Sequence, residues 1–153
     1  MRFGLIADTH GYLGEDALRA LAGCDAILHA GDVGEGVLAG LGLLAPLTAV
    51  RGNNDTTGAA AALPGVAYLD SPAGPIAVVH RLVDAPREGW DVLVFGHCHR
   101  PHVYEDERGR LYANPGAAGR RGFHRERSVA VLSCQAGAAT VEVVSLGPRR
   151  AAP

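Results

Sequence analysis

The chain has 153 residues, of which 48% are hydrophobic and 20% are charged, so it is large enough for one folded domain without disulfide staples. A formal net charge of −2 provides no general attraction to nucleic acid or to an anionic membrane. Three cysteines without a CxxC pair argue against a disulfide framework, and no apolar run is long enough to span a bilayer, so we expect a cytoplasmic protein.

The first part of the chain predicts strands that alternate with helices. Short apolar runs predict strands at 3–7, 26–30, 47–50, 65–69, 76–79 and 92–95. Apolar residues at helical spacing predict helices at 15–21 and 37–44. Continuous apolar strands separated by helices are typical of a parallel or mixed sheet that is buried on both faces, so we expect an α/β fold.

Beyond Gly96 the helical period fades and hairpin patterns follow. One hairpin is predicted from 102–105 and 110–113, and a second from 128–133 and 139–145. We expect a single domain over residues 1–146 and a disordered tail over residues 147–153.

Residues that can bind a metal ion stand just after five of the apolar runs. In open α/β sheets, sites gather at the carboxyl ends of the strands, so we expect these side chains to meet at one edge. They comprise two carboxylates, four imidazoles and one amide, namely Asp8, His10, Asp32, Asn53, His80, His97 and His99.

Seven ligands are too many for one tetrahedral zinc ion, but they suit two metal ions that share a bridging carboxylate. Nitrogen and oxygen ligands without a thiolate favour manganese, iron, zinc, nickel or cobalt over calcium. We therefore expect two divalent metal ions as cofactors, with manganese first among them.

The same residues form motifs that resemble those of the calcineurin-like metallophosphoesterases, and more closely those of the small bacterial and archaeal phosphodiesterases in that superfamily. The motifs are Asp8-Thr9-His10, Gly31-Asp32, Gly52-Asn53-Asn54-Asp55, His80, Gly96-His97-Cys98-His99 and Asn114-Pro115-Gly116. The resemblance covers residues 1–146. It implies a four-layer αββα sandwich of two mixed β-sheets flanked by helices.

The resemblance also implies how the ligands divide between two metal ions. Asp8, His10, Asp32 and His99 would hold the first ion, and Asp32, Asn53, His80 and His97 the second, with Asp32 bridging. A hydroxide between the ions would attack the phosphorus of a phosphate ester. Two divalent ions, two aspartates and one hydroxide leave a single positive charge, which favours a diester over a dianionic monoester.

Three features depart from the family pattern. Asn54 stands where the strongest general acid, a histidine, is expected, and we take Asn54 and Asp55 as the catalytic positions, with Asp55 also able to order the loop through an Asx-type turn. Arg81 replaces the usual glycine after His80, so we expect Arg81 and Asn54 to bind the substrate phosphate. The segment 80–97 is short, so a helix is expected to be trimmed or lost there.

Other polar residues have simpler interpretations. His29 lies inside an apolar run and is predicted to be a core residue or to orient a ligand by hydrogen bonding. Cys98 should point away from its two histidine neighbours if the segment is extended. Arginines around His124 form either a solvated loop or a phosphate clamp, namely Arg120, Arg121, Arg125 and Arg127.

Two alternative functions stay open beside a phosphodiesterase. The chain could be a phosphomonoesterase, or a non-catalytic metal-binding interaction module like the small subunit of the retromer coat, which resembles the same branch. A complete ligand set has little purpose in a pure scaffold, so we expect an enzyme that acts on a small phosphate ester or a nucleotide. Nucleic acid is not indicated as a substrate, no membrane partner is expected, and the oligomeric state stays open.

Overall fold

The structure is a computed structural model that describes residues 1–149. Within these residues, ten strands form two five-stranded mixed sheets, which confirms the predicted fold class. The strands are β1 (Arg2–Ile6), β2 (Ala26–His29), β3 (Leu47–Ala49), β4 (Val66–Leu69), β5 (Ile76–Val79), β6 (Val92–Val94), β7 (Pro101–Glu105), β8 (Leu111–Pro115), β9 (Glu126–Gln135) and β10 (Ala138–Pro148). The helices are α1 (Glu15–Leu21), α2 (Val37–Leu44) and α3 (Gly58–Ala61), together with a 3₁₀ turn at Leu82–Asp84.

Both sheets have parallel strands at their centre. The first sheet has the order β10-β9-β1-β2-β3, in which β1, β2 and β3 are parallel, β9 is antiparallel to β1, and the edge strand β10 is antiparallel to β9. The second has the order β4-β5-β6-β8-β7, in which β5, β6 and β8 are parallel and both edge strands run antiparallel. Parallel strands end at the same edge of a sheet, so the loops after them come together there.

The main core lies between the two sheets. Leu5 and Leu28 from the first sheet pack with Val78 and Val94 from the second, and all four side chains are fully buried. Because successive strand residues point to opposite faces, Ile6 turns to the other side, where the first sheet packs against α1 and α2. Continuous apolar strands are therefore buried on both faces, as their sequence predicts.

The outer face of the second sheet is covered differently. Val79 and Leu93 pack there against Trp90, Tyr104 and Tyr112. All three α-helices in residues 1–149 pack with the first sheet, and the second sheet has only the 3₁₀ turn after His80. The predicted loss of a helix in segment 80–97 is confirmed, and the fourth layer is a thin cover of aromatic rings.

The two predicted hairpins are present, and both strands of the second one are longer than predicted. Strand β10 includes Gly147 and Pro148, and the backbone N–H of Arg149 donates to the carbonyl of Arg125 at 2.7 Å. Residues 147–149 of the expected tail thus follow on from the hairpin, and residues 150–153 lie outside the described residues. Helix α3 was not predicted, because its alanine-rich sequence carries no apolar period. Within residues 1–149, no helix is both long and apolar enough to cross a membrane.

Candidate metal centre

All seven candidate ligands lie in loops at the carboxyl ends of parallel strands, and the structure brings them together at one edge. We call the four residues after β1, β2 and β3 the first-sheet ligands, and the three after β5 and β6 the second-sheet ligands. The first-sheet ligands are Asp8, His10, Asp32 and Asn53. The second-sheet ligands are His80, His97 and His99.

Two groups of donor atoms form where these loops meet. In one, Nε2 of His99 lies 3.4 Å from Oδ1 of Asp8, and one donor atom each from Asp8, His10 and His99 lies within 4.8 Å of the others. In the other, Oδ1 of Asn53 lies 2.8 Å from Nε2 of His80 and 3.2 Å from Nδ1 of His97. Each group has the size of a metal coordination site.

Asp32 lies between the two groups. Its Oδ2 is 3.8 Å from Nε2 of His10 and 3.4 Å from Nε2 of His80. The side chain is 2% exposed, so its charge faces protein donors rather than bulk water. One carboxylate oxygen thus faces histidines of both groups.

The carboxylate of Asp8 shows whether these residues fit a cation. Its Oδ2 accepts a hydrogen bond from the backbone N–H of His97 at 3.0 Å, but Oδ1 is buried and has no hydrogen-bond partner. A buried charged oxygen without a partner is costly, and a cation at this point would remove that cost. The donor set of carboxylate, imidazole and amide oxygen therefore fits divalent metal ions.

The backbone is strained at the same positions. Within residues 1–149, every non-glycine residue with positive φ is a candidate ligand: the angles run from 46° to 75°, at Asp8, His10, Asp32, His97 and His99. The left-handed region costs an ordinary L-residue roughly 1–2 kcal/mol. Such strain persists only where the surrounding structure enforces it, and it concentrates at functional sites.

Two glycines make room for the ligands. At Gly31, where φ is 97°, a Cβ atom would lie 2.7 Å from Nδ1 of His80. At Gly52, a Cβ atom would collide with the carboxylate of Asp32. A side chain at either position would push a candidate ligand out of place.

Asn54 contacts Asp32 with both its main chain and its side chain. Its backbone N–H donates to Oδ1, and its Nδ2 donates to Oδ2, each at 2.9 Å. Burial alone would raise the pKa of Asp32, but the hydrogen bonds with His80 and Asn54 hold that pKa well below its usual value. Asp32 is therefore ionised at neutral pH. Burial likewise opposes protonation of His80, yet the hydrogen bonds to Asp32 and Ala30 raise its pKa.

Asp55 does not face the ligands, because its carboxylate is buried against the backbone. Oδ1 accepts from the N–H groups of Val33 and Gly34 at 2.9 and 3.1 Å, and Oδ2 accepts from the N–H of Gly52 at 2.9 Å. Asp55 thereby ties the loop after β2 to the loop after β3. We therefore give Asp55 a positioning role in place of the catalytic one expected from its sequence position.

His29 is buried behind the first-sheet ligands, in keeping with its interpretation as a core or orienting residue. The N–H of Gly31 donates to its Nδ1 at 3.1 Å, its Nε2 donates to Oγ1 of Thr9 at 2.9 Å, and that hydroxyl donates to the carbonyl of Val33 at 2.7 Å. Burial lowers the pKa of His29 to about 4, so the ring is neutral and can play both hydrogen-bonding roles. Thr9, between two candidate ligands, was not singled out from the sequence.

A basic cleft of about 320 Å³ opens beside the second group of donor atoms. Asn53 and His80 line it, and its charged residues are two exposed arginines, Arg51 and Arg81, against one carboxylate, Asp84. The Nε of Arg81 donates to Asp84 at 2.9 Å, and this hydrogen bond does not use the two terminal NH₂ groups of the guanidinium. Arg51 was not predicted, because it directly precedes a ligand loop without belonging to a motif.

The segment 117–126 lies against His99. The backbone N–H of Phe123 donates to Nδ1 of His99 at 2.9 Å, and the two rings stack with centroids 4.8 Å apart. The guanidinium of Arg149 donates to backbone carbonyls on this segment, those of Ala117, Gly119, Arg121, His124 and Glu126. Neither Phe123 nor Arg149 was singled out from the sequence, since each acts through residues distant in the chain.

The arginines near His124 do not act as one cluster. Arg127 is buried and forms an ion pair with Asp16 at 2.7 Å, and Arg120 lies over the ring of Tyr12. Arg121 and Arg125 are exposed. Cys98 is exposed as well, and its sulfur accepts from Nδ2 of Asn114 at 3.2 Å rather than joining the histidines beside it.

Comparison with known proteins identifies the family of this chain. The model of the calcineurin-like phosphoesterase superfamily domain matches residues 1–137, so the chain belongs to that superfamily. No curated protein matches the chain. The resemblance to this family that the sequence indicates is thus confirmed.

Solved structures share the fold. Wild-type Vps29 from Entamoeba histolytica, complexed with Zn²⁺, is 20% identical, with a TM-score of 0.74 over 95% of this chain and 99% of that one. An archaeal phosphodiesterase is 19% identical, with a TM-score of 0.74 over 94% of this chain and 100% of that one. The E. coli phosphoesterase Yfce is 24% identical, with a TM-score of 0.67 over 87% of this chain and 88% of that one. At these identities the likeness establishes the fold.

Proposed function

We propose that this protein is a metal-dependent phosphoesterase, and foremost a phosphodiesterase, that holds two divalent metal ions, with manganese as the first candidate. The observation that carries the proposal is the position of Asp32, whose single oxygen Oδ2 lies within 3.8 Å of histidines from both donor groups. A carboxylate placed in this way suits a bridge between two ions.

In the proposal, the ligands divide as the family resemblance implies. Asp8, His10 and His99 hold one ion, Asn53, His80 and His97 hold the other, and Asp32 is shared. Divalent ions in these places would lower the pKa of water towards neutrality and neutralise charge on the phosphoryl oxygens. The chain's own contribution is to fix the ligands through buried hydrogen bonds, such as those that Asn54 donates to Asp32.

The basic cleft is the proposed place for the substrate phosphate. Arg51 and Arg81 line it next to Asn53 and His80, so an anion in the cleft would contact guanidinium groups while it approaches the second donor group. Planar guanidinium groups can hold a phosphate with two hydrogen bonds. Asn54, exposed on the same loop as Asn53, is the other proposed phosphate contact.

The likeness to Vps29 supports a second candidate, a non-catalytic metal-binding interaction module. Metal content alone does not separate the two candidates, because a Vps29 structure is itself described with Zn²⁺ bound. The likeness to the archaeal phosphodiesterase and to Yfce favours an enzyme. Turnover of a phosphate ester is the measurement that distinguishes them.

The test uses protein freed of metal with a chelator and reloaded with manganese, zinc, nickel, cobalt or iron. We expect two equivalents of metal per chain and metal-dependent hydrolysis of bis(p-nitrophenyl) phosphate, faster than that of p-nitrophenyl phosphate. The matched control is Asp32→Asn, which keeps the size of the side chain and removes its charge. Full metal loading without hydrolysis of any ester would reject the enzyme in favour of the interaction module.

A further inference from the structure

We propose that Phe123 is a stacking surface for a nucleobase, so that the preferred substrates are phosphate esters that carry a nucleoside. This inference rests on the proposed phosphoesterase function and specifies its substrate class. It depends on the position of one exposed aromatic ring, on the loop that holds it and on the charges beside it.

The ring of Phe123 is 89% exposed although it lies beside the candidate metal centre. One face stacks on the imidazole of His99 at an interplanar angle of 17°, so the other face is open to solvent. His99 in turn lies 3.4 Å from Asp8, which puts the ring one side chain away from the proposed metal ions. The ring is therefore an exposed aromatic surface at the border of the candidate metal centre.

Hydrogen bonds hold the loop that carries Phe123 in two places, at His99 in the candidate metal centre and at Arg149. The backbone N–H of Phe123 is bonded to His99, and Arg149 binds five carbonyls of segment 117–126. A guanidinium group has five N–H donors in a fixed plane, so it can hold such a loop in one conformation. A stacking surface that is already ordered loses little conformational entropy when a base binds.

The charges close to Phe123 in sequence favour an anionic aromatic ligand over a neutral one. Arg121 and Arg125 lie on either side of Phe123 in sequence, and both are exposed. Neither forms an ion pair with another of the residues 1–149. Guanidinium groups can bind phosphate or stack on bases, and base–aromatic stacking tolerates any base because every base has a π-face.

The experiment compares two diesters with the same leaving group, thymidine 5′-(p-nitrophenyl phosphate) and methyl p-nitrophenyl phosphate. We expect wild-type protein to prefer the thymidine ester, and we expect Phe123→Ala to lower the ratio of the two kcat/KM values by about 10- to 100-fold. Phe123→Trp should restore the ratio, since it restores a stacking surface. Leu43→Ala is the control, because Leu43 is 91% exposed in α2 and has no part in the site.

Binding provides a readout independent of turnover. By calorimetry, adenosine 5′-monophosphate should bind wild-type protein more tightly than ribose 5-phosphate, and Phe123→Ala should remove most of that difference. Inhibition by thymidine 5′-monophosphate and by a short oligothymidylate distinguishes a free nucleotide from a strand end. Both inhibitors should act less strongly on Phe123→Ala than on wild-type protein.

The two proposals fail in different ways. If neither ester is hydrolysed by wild-type protein, the proposed function is wrong, while the calorimetric comparison still tests the stacking surface. If both esters are hydrolysed and their kcat/KM ratio is the same in wild type and Phe123→Ala, the stacking surface is wrong and the phosphoesterase stands.

Discussion

The two sides of the candidate metal centre are held in place by different means. The first-sheet ligands are fixed by buried polar residues on the neighbouring loops, where Asp55 binds three backbone amides and His29 bonds to Thr9 and Gly31. The second-sheet ligands rest on parts of the chain that are distant in sequence. His80 donates to the carbonyl of Ala30 at 2.8 Å, and His99 accepts from the amide of Phe123.

The two sides of the candidate metal centre also differ in charge and in exposure to solvent. The first-sheet side contributes both carboxylates, which are buried, so it defines where negative charge is concentrated. The second-sheet side contributes imidazoles, includes the exposed His97, and borders both the basic cleft and Phe123. We expect changes on the first side to alter metal binding and stability, and changes on the second side to alter substrate use.

Asp32→Asn should have the largest effect, because Asp32 links the two sides. Even residues that only orient a metal ligand cost about 10–100-fold when they are replaced, so we expect a loss of at least about 100-fold in kcat/KM. At least one metal equivalent per chain should be lost in elemental analysis. A normal rate with unchanged metal stoichiometry would contradict the proposed bridge.

Asp55→Ala tests the first-sheet side alone. Removing this carboxylate leaves three backbone amides without their acceptor, and each buried unpaired group costs about 1–3 kcal/mol. We expect the free energy of unfolding to fall by about 3 kcal/mol or more in urea titrations, with weaker metal binding. Asp70→Ala, the same change at an exposed position, is the control and should be close to neutral.

His29, on the first-sheet side, makes the free energy of unfolding depend on pH. Its pKa is about 4 in the folded protein and near 6.5 when unfolded, so the unfolded state binds the proton first as the pH falls. The contribution of neutral His29 to the free energy of unfolding is therefore complete above pH 6.5. It falls by about 1.4 kcal/mol per pH unit between pH 6.5 and 4. Urea titrations at pH 7.5 and 5 should show a smaller loss for His29→Gln than for wild type. Equal losses would mean that His29 titrates normally in the fold.

Arg81→Ala tests the second-sheet side. A charge-assisted hydrogen bond is worth about 1.5–3 kcal/mol, so we expect kcat/KM on several esters to fall by roughly tenfold, while the metal content stays constant. Arg108→Ala, at the exposed tip of the hairpin between β7 and β8, controls for the loss of a surface arginine. Unchanged kinetics in Arg81→Ala would leave it as a solvated loop residue.

Asn54→His should have the smallest and most selective effect. A carboxamide has no proton to donate near neutral pH, whereas a positioned general acid matters when the leaving group is poor. We expect the rate on alkyl or nucleoside leaving groups to rise several-fold relative to that on p-nitrophenyl esters. Because Asn54 also binds Asp32, metal content has to be measured in the same samples. Equal changes for both kinds of ester would show that this position does not control leaving-group protonation.

The sequence predicts that the candidate ligands come together at one edge, because their positions follow from local pattern. Asp8, Asp32 and His80 each stand just after an apolar run, and the parallel order of the strands brings such positions together. The short length of segment 80–97, compared with the family pattern, indicated that a helix is trimmed or lost after His80.

The supporting residues could not be predicted, because their contacts join distant parts of the chain. Arg149 lies 23–32 residues from the carbonyls that it binds, and its position near the end of the sequence indicated a disordered tail. The contact of Phe123 with His99 depends on β9 entering the first sheet beside β1, which no local pattern specifies. Asn114 was recognised as part of a motif, but its contacts with Gly96 and Cys98 required the folded sheet.

The left-handed backbone of five candidate ligands has an evolutionary consequence. Glycine adopts this conformation without the steric cost borne by Asp8, His10, Asp32, His97 and His99, so exchange for glycine at these positions would relieve strain. As long as selection acts on a function that needs the side chains, it retains them against that gain in stability. A descendant that kept only the fold would therefore be expected to lose these residues early.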